Sequence, residues 1–372
     1  DKVINYGKIE EDQNLSKTSL RAYGALVNNG IFENHGDIKL ANSLNPDYAK
    51  NVKTADMDKV NVGIRANSTD GRIENYADIT IGDNSATSTT TAKNIGSWAI
   101  YGYNVTTGKK ADGKNSNIVI NRNSYGIYSG DGTVNITGTK FKVGNDTVLG
   151  HKMYSGKYSD GTPYTIDRQG GATGYAQDAD LLSKLGRERD SAIGVYIDNN
   201  DGLSNTHRTV KVNADMEIDR FSHGIVLAER NGDIAVNKTT VELGTAGNGP
   251  TIKLAYSTNN NQGGHVKSTK PTDNPEKRPR EIYEQGNSVY YYSADNASAA
   301  TTYANVTMDG DYNTAYFTRG SVENYGTIDL RSQYDLDKRA LDPTHEPVGY
   351  GNVGIISENT KYASVNYGTI TT

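Results

Sequence analysis

The 372-residue sequence predicts an all-β fold, one right-handed parallel β-helix whose coils are interrupted by loop insertions, one of them containing a short α-helix. Three observations lead to this prediction. They are a composition too lean for a large spherical core, a turn unit that recurs along the chain, and short runs in which apolar and polar residues alternate. A solenoid accounts for all three because each coil buries only a narrow apolar strip.

The composition favours an elongated fold over a compact one. Hydrophobic residues make up 34% of the chain, with 4 Phe and 1 Trp, yet its 26 tyrosines exclude a solvated random chain. The absence of cysteine excludes disulfides and thiolate chemistry, and a net charge of -5 disfavours nucleic-acid binding. At about 4.8 Å per coil, roughly ten to fourteen coils predict a rod on the order of 50 to 65 Å long.

The recurring turn unit has the pattern aliphatic-Asn-Tyr/His-Gly-x-Ile. Glycine accepts positive φ without strain and asparagine tolerates the left-handed conformation, so the unit predicts a corner of the coil. Stacked corners are expected to align their asparagine side chains into an amide ladder. The predicted corner asparagines are Asn5, Asn34, Asn75, Asn324 and Asn366.

A second unit, Gly-aliphatic-x, alternates with the first and predicts another strand of each coil. Runs such as Val60-x-Val62-x-Ile64 have the period of two that is typical of strands with one buried face. The glycines of this unit are Gly24, Gly63, Gly126, Gly194, Gly224 and Gly354.

Three stretches break the rhythm and are predicted to be insertions. They divide the chain into coils at 1 to 138, an insertion at 139 to 189, coils at 190 to 244, a Pro- and Tyr-rich insertion at 245 to 303, and coils at 304 to 372 with a charged loop at 331 to 347. The first insertion is predicted to hold a helix at 178 to 187, which begins with an aspartate N-cap and ends in basic residues.

The sequence predicts neither an enzyme nor a metal or cofactor site. Ser129-Gly130-Asp131-Gly132 has the letters of a serine-protease signature in the wrong order, and the paired carboxylates of β-helix polysaccharide hydrolases are missing. The acidic turn that begins at Asp309 lacks the glycine and glutamate of a calcium loop. The six histidines are scattered, without metal-ligand spacing.

At its Asn-Tyr-Gly-x-Ile units the sequence resembles the passenger domains of large Gram-negative type V autotransporter adhesins, and especially the fusobacterial outer-membrane members. The resemblance implies export through a C-terminal outer-membrane β-barrel, surface display, and a role in virulence through coaggregation or host-cell attachment. We expect a passenger fragment whose only membrane link is that barrel, which this sequence does not include. Two alternatives stay open, a polysaccharide-degrading β-helix enzyme and a passive spacer stalk.

Tyrosine and basic side chains in the insertions are the main candidates for binding. Tyrosine buries a large area at low entropic cost, and a basic loop on an acidic protein suits an acidic surface. The alternatives are a small loop core and a solvated loop. The insertion candidates are Tyr154, Tyr158, Tyr164, Tyr175, Lys267, Lys270, Arg278, Arg280, Tyr283, Tyr290, Tyr291 and Tyr292.

A further aromatic patch is predicted on the coils themselves, formed by Trp98, Tyr101 and Tyr103. The expected partner is a host cell-surface receptor or glycan, or the surface of a partner bacterium, and the sequence does not distinguish a lectin from a protein-binding module. The chain itself is expected to be a monomeric rod.

Overall fold

The chain folds as a parallel β-helix, as the sequence predicts. Strands of three faces follow one another along the described chain, and the strands of each face pair in parallel from one coil to the next. The computed structural model describes residues 1–11, 22–41, 43–45, 61–83, 93–121, 124–130, 132–145, 152–157, 163–168, 192–198, 207–219, 222–230, 238–254, 288–308, 313–331, 352–358 and 361–372.

The first face is a sheet of nine parallel strands. Each carries the Gly-aliphatic-x unit or a variant of it. The strands are Tyr23–Val27, Asn61–Ala66, Lys93–Gly102, Tyr125–Ser129, Ile193–Ile197, His223–Arg230, Val289–Asp295, Thr314–Thr318 and Val353–Ser357.

The second and third faces meet at the corner that contains the Asn-Tyr-Gly unit. The second face consists of Lys2–Asn5, Gly30–Asn34, Gly71–Asn75, Asn104–Thr107, Val134–Asn145, Arg208–Ile218, Thr239–Leu243, Ser298–Thr302, Ser321–Asn324 and Val365–Asn366. The third face consists of Ile9–Glu10, Ile38–Ala41, Ile79–Asp83, Ser116–Asn121, Thr251–Leu254, Asn305–Met308, Thr327–Asp329 and Thr369–Thr371.

Two long strands, Val134–Asn145 and Arg208–Ile218, run through both the second and the third face. They join the two faces into one 18-stranded sheet. The register between them shifts after Thr137, next to Gly138, whose φ of 57° absorbs the extra residue. A bulge therefore replaces the corner in these coils.

Three strands lie outside the solenoid faces. Ser43–Asn45 pairs antiparallel with the beginning of Lys93–Gly102. Lys152–Lys157 and Pro163–Arg168 pair with each other as a separate antiparallel hairpin. The part of the chain that the structure describes contains no helix long and apolar enough to cross a membrane.

The core is a column of aliphatic side chains along the axis of the β-helix. Ile73, Ile79, Ile118 and Val210 are fully buried, and each contributes about 1.5 to 3 kcal/mol relative to an exposed side chain. The column widens around Tyr290, Tyr291 and Tyr316, which are also fully buried.

At the glycines of the Gly-aliphatic-x unit, a Cβ would point at the backbone of the next coil. A Cβ on Gly126 would lie 2.2 Å from the carbonyl oxygen of Gly194, and one on Gly63 would lie 2.5 Å from that of Ala99. The residue after the glycine faces the core, so the unit marks a place where the strand comes close to the backbone of the next coil and then turns a side chain inward. Ala99, Ala315 and Tyr290 take the glycine position in other coils.

The corner asparagines form amide ladders. The Asn5 side chain donates to Asn34 Oδ1 (2.8 Å), Asn34 donates to Asn75 Oδ1 (2.8 Å), and each Nδ2 also donates to the carbonyl two residues ahead. At the other end Asn324 donates to Asn366 Oδ1 (2.7 Å). Bonded residues are 29, 41 and 42 positions apart in sequence. The ladders therefore tie successive coils together at this corner.

Aromatic rings stack beside the ladders. The His35 ring lies between Tyr6 and Tyr76, with centroid distances of 5.1 and 5.3 Å. In the last coils Tyr325 stacks on both Tyr303 and Tyr367, at 5.2 and 4.9 Å. These spacings match the distance between hydrogen-bonded strands, so the rings add packing without disturbing the backbone.

The predicted insertion boundaries are too wide. The range 139 to 189 begins inside Val134–Asn145, whose second half pairs with two third-face strands. The range 245 to 303 contains Thr251–Leu254, Val289–Asp295 and Ser298–Thr302, all paired within the three faces. The predicted helix at 178 to 187 lies outside the described residues, as does the predicted charged loop at 331 to 347 apart from Arg331.

Candidate functional site

The outer surfaces of the second and third faces are polar. One outward column of the second face contains Glu33, Glu74, Lys211, Glu242 and Glu323. Opposite charges pair between coils, as in Lys211 with Glu242 at 3.0 Å. Such exposed pairs add little stability.

The outer surface of the first face is apolar, which is unusual for the solvent side of a sheet. Two columns project outward from its strands. The first contains Tyr23, Val62, Trp98, Tyr125, Ile193, His223, Val289, Thr314 and Val353. The second contains Leu26, Arg65, Tyr101, Tyr128, Tyr196, Val226, Tyr292, Phe317 and Ile356.

Side chains from five coils meet in this surface as one group, which we call the aromatic cluster. It is separate from the axial core; Val62 is fully buried, and the most buried aromatic members, Trp98 and Tyr128, are 5% and 8% exposed. The other aromatic members remain half-buried. The aromatic cluster consists of Tyr23, Val62, Trp98, Tyr101, Tyr125, Tyr128 and Tyr196.

The rings of the aromatic cluster stack along the rod. Tyr128 stacks on Tyr101 at 4.1 Å with an interplanar angle of 9°, and on Tyr196 at 5.9 Å with an angle of 17°. Trp98 stacks on Tyr125 at 4.4 Å and meets Tyr101 edge-on at 6.1 Å. The strand spacing sets the stacking distances, because the two rings of each stacked pair come from neighbouring coils at the same register, whereas Trp98 and Tyr101 lie on one strand.

Polar groups hold the edges of the aromatic cluster. The Arg65 guanidinium donates to the Tyr23 hydroxyl (2.6 Å) and lies over the rings of Tyr23 and Tyr101, at 5.1 and 5.5 Å from their centroids. The Tyr128 hydroxyl donates to Asp198 Oδ2 (2.8 Å). Burial, followed by the neighbouring Tyr101 and Asp198, raises the pKa of Tyr128, so its hydroxyl remains a donor at physiological pH.

The Trp98 indole N–H is buried and has no acceptor among the residues that the structure describes. Buried donors are nearly always paired, so the unpaired indole N–H costs stability. The donor is enclosed within the cluster, which therefore presents mainly apolar and aromatic area.

The apolar surface continues beyond the cluster. Tyr292 stacks on Phe317 at 4.8 Å, and its ring meets His223 edge-on at 6.3 Å. Burial lowers the pKa of His223 to about 4, although part of its ring remains exposed, so the imidazole is neutral at physiological pH. This end of the surface therefore carries no charge from His223.

Two of the predicted binding residues require correction. Tyr290 and Tyr291 are fully buried in the axial core, because the strand Val289–Asp295 directs both positions inward. They cannot contact a partner. Their neighbour Tyr292 faces outward.

The predicted patch on the coils is brought together only in part. Trp98 and Tyr101 share the aromatic cluster, whereas Tyr103 lies at the bend that leads to the second face, where its carbonyl accepts the Ser129 hydroxyl (2.6 Å). Tyr125, Tyr128 and Tyr196 were not among the predicted residues. Tyr128 and Tyr196 occupy the third position of two Gly-aliphatic-x units, so an alignment of these units would have placed them in register.

The remaining candidates lie in the insertions. The backbones of Tyr154 and Tyr164 lie on opposite strands of the antiparallel hairpin. The others fall outside the described residues, namely Tyr158, Tyr175, Lys267, Lys270, Arg278, Arg280 and Tyr283.

Within the described ranges no group of three or more His, Asp or Glu side chains could hold a metal ion. No protein-family model matches the sequence, and neither a curated protein nor a solved structure shows significant similarity to it.

Proposed function

We propose that this chain is part of the stalk of a surface-displayed adhesin, and that the aromatic cluster is the surface through which it contacts a host cell or a partner bacterium. The observation that supports the proposal is the apolar outer surface of the first face. A soluble solenoid needs only one apolar side per sheet, so a second one suggests a contact surface.

The chemistry of the aromatic cluster suits protein recognition. Its tyrosines are buried or half-buried and held by stacking, so little side-chain entropy remains to be lost on binding. Because the rings stack face to face, they present edges and hydroxyls to the outside, whereas a sugar ring packs best on an open aromatic face. A protein receptor is therefore the partner class that we favour over a glycan.

The cellular setting of the proposal comes from the resemblance of the repeated corner units to autotransporter passengers. In that setting the rod is held at the outer membrane and displays its sides to the surroundings. A contact surface along the side of a rod is then accessible at any height, which suits attachment between cells.

The test is the double variant Tyr101→Ser, Tyr196→Ser. It removes the two half-buried ends of the Tyr101–Tyr128–Tyr196 stack, and we expect at least about tenfold weaker adhesion to host cells and to a receptor array. The matched control is Tyr76→Ser, Tyr325→Ser, which removes two stacked tyrosines from the corner of the second and third faces and should change adhesion less than about twofold.

Circular dichroism establishes that both variants remain folded. Wild-type adhesion by a folded Tyr101→Ser, Tyr196→Ser variant would contradict the proposal and favour a passive stalk. Release of sugars from pectins or glycosaminoglycans by the wild-type protein would favour the enzyme alternative.

A further inference from the structure

We propose that the protein partner of the aromatic cluster is a second copy of this chain, docked face to face with the two rods antiparallel. The inference rests on the proposed function, since the second copy occupies the same surface. A twofold axis would lie between the strands Lys93–Gly102 and Tyr125–Ser129, in the middle of the aromatic cluster. Each aromatic cluster would then cover the other.

Two charged side chains lie at opposite ends of the aromatic cluster. In each of the first six strands of the first face, the described residues run from the first outward position to the fifth residue after it, and among these only Arg65 and Asp198 are charged. Burial lowers the pKa of His223 to about 4, so this imidazole adds no charge at physiological pH. The basic group lies one strand before Lys93–Gly102, and the acidic group lies one strand after Tyr125–Ser129.

This placement of charge is complementary to itself in an antiparallel contact. In an isologous interface the same two positions meet twice, so Arg65 of each copy would face Asp198 of the other. The two groups also agree across the width of the face. Arg65 Nε donates to Asn67 Oδ1 (2.9 Å), and Asn67 follows the last inward residue of its strand, as Asp198 does in its own strand.

The charges select one register between the two copies. If the second copy moved by one strand in one direction, Arg65 would face Tyr128 and Gly130, and in the other direction it would face Val226 and Ala228. None of these four residues is charged. The register centred between Trp98 and Tyr125 is therefore the one that pairs both charges.

The same register brings aromatic and apolar positions together between and beyond the charges. Because the twofold axis crosses the rods at right angles, each outward column faces the same column of the second copy. Leu26 is 51% exposed, so it gains the most cover from docking. The facing positions are Trp98 with Tyr125, Tyr101 with Tyr128, and Leu26 with Val226.

The repeat of the outward columns favours a second copy over a helical partner. Neighbouring positions of a column are one strand spacing apart, about 4.8 Å, and a second copy has the same spacing. A helix repeats every turn, about 5.4 Å, so over five strand steps it falls about 3 Å out of step. A second copy can therefore present a side chain to every strand of the aromatic cluster.

The size of the contact predicts a weak, reversible dimer. Six strands at about 4.8 Å and a width of about 17 Å give a footprint of roughly 500 Å² on each copy, or about 1,000 Å² in total. This area is at the lower end of specific interfaces, so we expect dissociation in the micromolar range. The sequence predicts a monomeric rod instead, because composition and repeats do not show which side chains share an outer surface.

The experiment changes the two charges one at a time in the full chain. Arg65→Asp leaves two acidic groups at the ends of the aromatic cluster and Asp198→Arg leaves two basic ones, so each variant opposes like charges in its own dimer. A mixture of the two variants restores both opposite pairs. The matched control is Lys211→Glu, which reverses one charge of an exposed pair on the second face. Sedimentation velocity over a concentration series measures the dissociation constant, and circular dichroism verifies the fold.

We expect the wild type and the control to dimerise with dissociation constants that agree within a factor of about two. Each charge variant alone should dissociate at least about tenfold more readily, and the equimolar mixture should return to within about threefold of the wild type. A wild type that stays monomeric, or a mixture that associates no better than its components, would overturn the proposal.

Cross-linking tests the same register without changing the charges. The chain has no cysteine, so single thiols can be introduced in Tyr23→Cys and in His223→Cys. The antiparallel dimer places these two positions opposite each other and keeps the two copies of either one about 24 Å apart along the rods. A short bifunctional thiol reagent should therefore link a mixture of the two variants and neither variant alone. Linking of Tyr23→Cys to itself would indicate parallel docking and contradict the proposal.

Adhesion measurements on the same proteins distinguish a wrong partner from a wrong surface. If the wild type stays monomeric while Tyr101→Ser, Tyr196→Ser loses adhesion, the second copy is not the partner and the aromatic cluster remains the adhesion surface. If the charge variants and the cross-links behave as expected but Tyr101→Ser, Tyr196→Ser adheres as the wild type does, the chain dimerises through this register and adhesion uses another surface.

Discussion

Asn34 shows how one residue type supports a corner in this fold. Its Nδ2 donates to Gly36 O and to Asn75 Oδ1, and its Oδ1 accepts from Asn5. Buried amides are costly unless they are paired, and here both Nδ2 hydrogens and the Oδ1 of Asn34 make hydrogen bonds. Each bond contributes about 1 kcal/mol net, so the buried asparagine stabilises the corner and ties it to the coils on both sides.

The middle coils show where this arrangement is not needed. In register with Asn75 and Asn324 lie side chains that cannot continue the ladder, and the long strands Val134–Asn145 and Arg208–Ile218 have no corner there. Aliphatic packing replaces the amide at three of these positions, and at the other two a threonine hydroxyl bonds to Thr139 or to Tyr316. The replacing residues are Thr107, Ile136, Val212, Leu243 and Thr302.

The glycine of the first-face unit leads to a prediction at the residue scale. In Gly126→Ala the new Cβ would lie 2.2 Å from Gly194 O and 2.6 Å from Ile120 Cδ1, so two coils must separate. We expect a loss of about 2 kcal/mol in the free energy of unfolding, measured by urea titration. The matched control is Gly354→Ala in the same column, whose nearest atom would be 3.4 Å away.

The control should cost less than about 0.5 kcal/mol, because alanine also restricts the unfolded chain. Equal losses in the two variants would show that the glycines are required for backbone conformation and not for close approach. Alanine occurs naturally in this column, at Ala99 and Ala315, so the backbone conformation at this position accepts a Cβ. This agrees with close approach to the next coil as the reason for glycine at Gly126.

The residue types in the sequence predicted the asparagine ladder of the corners better than they predicted the aromatic cluster of the first face. Asparagine and glycine have backbone and hydrogen-bonding properties that point to a corner in almost any context, so the unit could be interpreted directly. Tyrosine has no such restriction. Tyr291 and Tyr292 are adjacent in sequence, yet one fills the core and the other faces outward, because inward or outward direction depends on the register of the whole strand.

At the scale of the element, the first face differs from an ordinary solenoid sheet by packing on both sides. Its inner side joins the axial core, and its outer side carries stacked rings from successive coils. The sequence could not predict this grouping, since Tyr128 and Tyr196 are separated by an insertion of unpredictable length and meet only through strand pairing.

His223 allows a test of burial on this face by pH. Its pKa is lowered to about 4 in the folded chain, whereas an unfolded histidine titrates near 6.5. Between about pH 6.5 and 4 the unfolded chain therefore binds a proton that the folded chain does not, so stability falls as the pH is lowered through this window.

We expect His223→Phe and His223→Gln both to flatten the dependence of the unfolding free energy on pH between 6.5 and 4, measured by urea titration at several pH values. The two variants pack differently against Tyr292, but neither new side chain titrates in this pH range. An effect that both variants share therefore comes from the lost protonation of His223. Unchanged pH slopes in both variants would show that the imidazole is solvated.

At the scale of the whole molecule, the pairing between coils determines whether an insertion is needed to hold the strands on either side of it. Thr251–Leu254 and Val289–Asp295 are each paired with coils on both sides, so the chain between them is not needed to hold either strand. One coil further on, Leu254 is in register with Met308 and Val289 with Thr314. There the sequence crosses the same gap with only Asp309-Gly310-Asp311-Tyr312 and Asn313.

The last prediction uses that natural connection. We expect a chain in which residues 255 to 287 are replaced by Asp-Gly-Asp-Tyr to keep the wild-type circular dichroism spectrum and a cooperative melting transition, because both flanking strands keep their ladders. The variant also removes the basic candidates Lys267, Lys270, Arg278 and Arg280. If the aromatic cluster carries recognition, adhesion should remain within about twofold of the wild type. A folded variant with strongly reduced adhesion would assign recognition to the insertion, and a variant that fails to fold would show that the insertion is part of the structure.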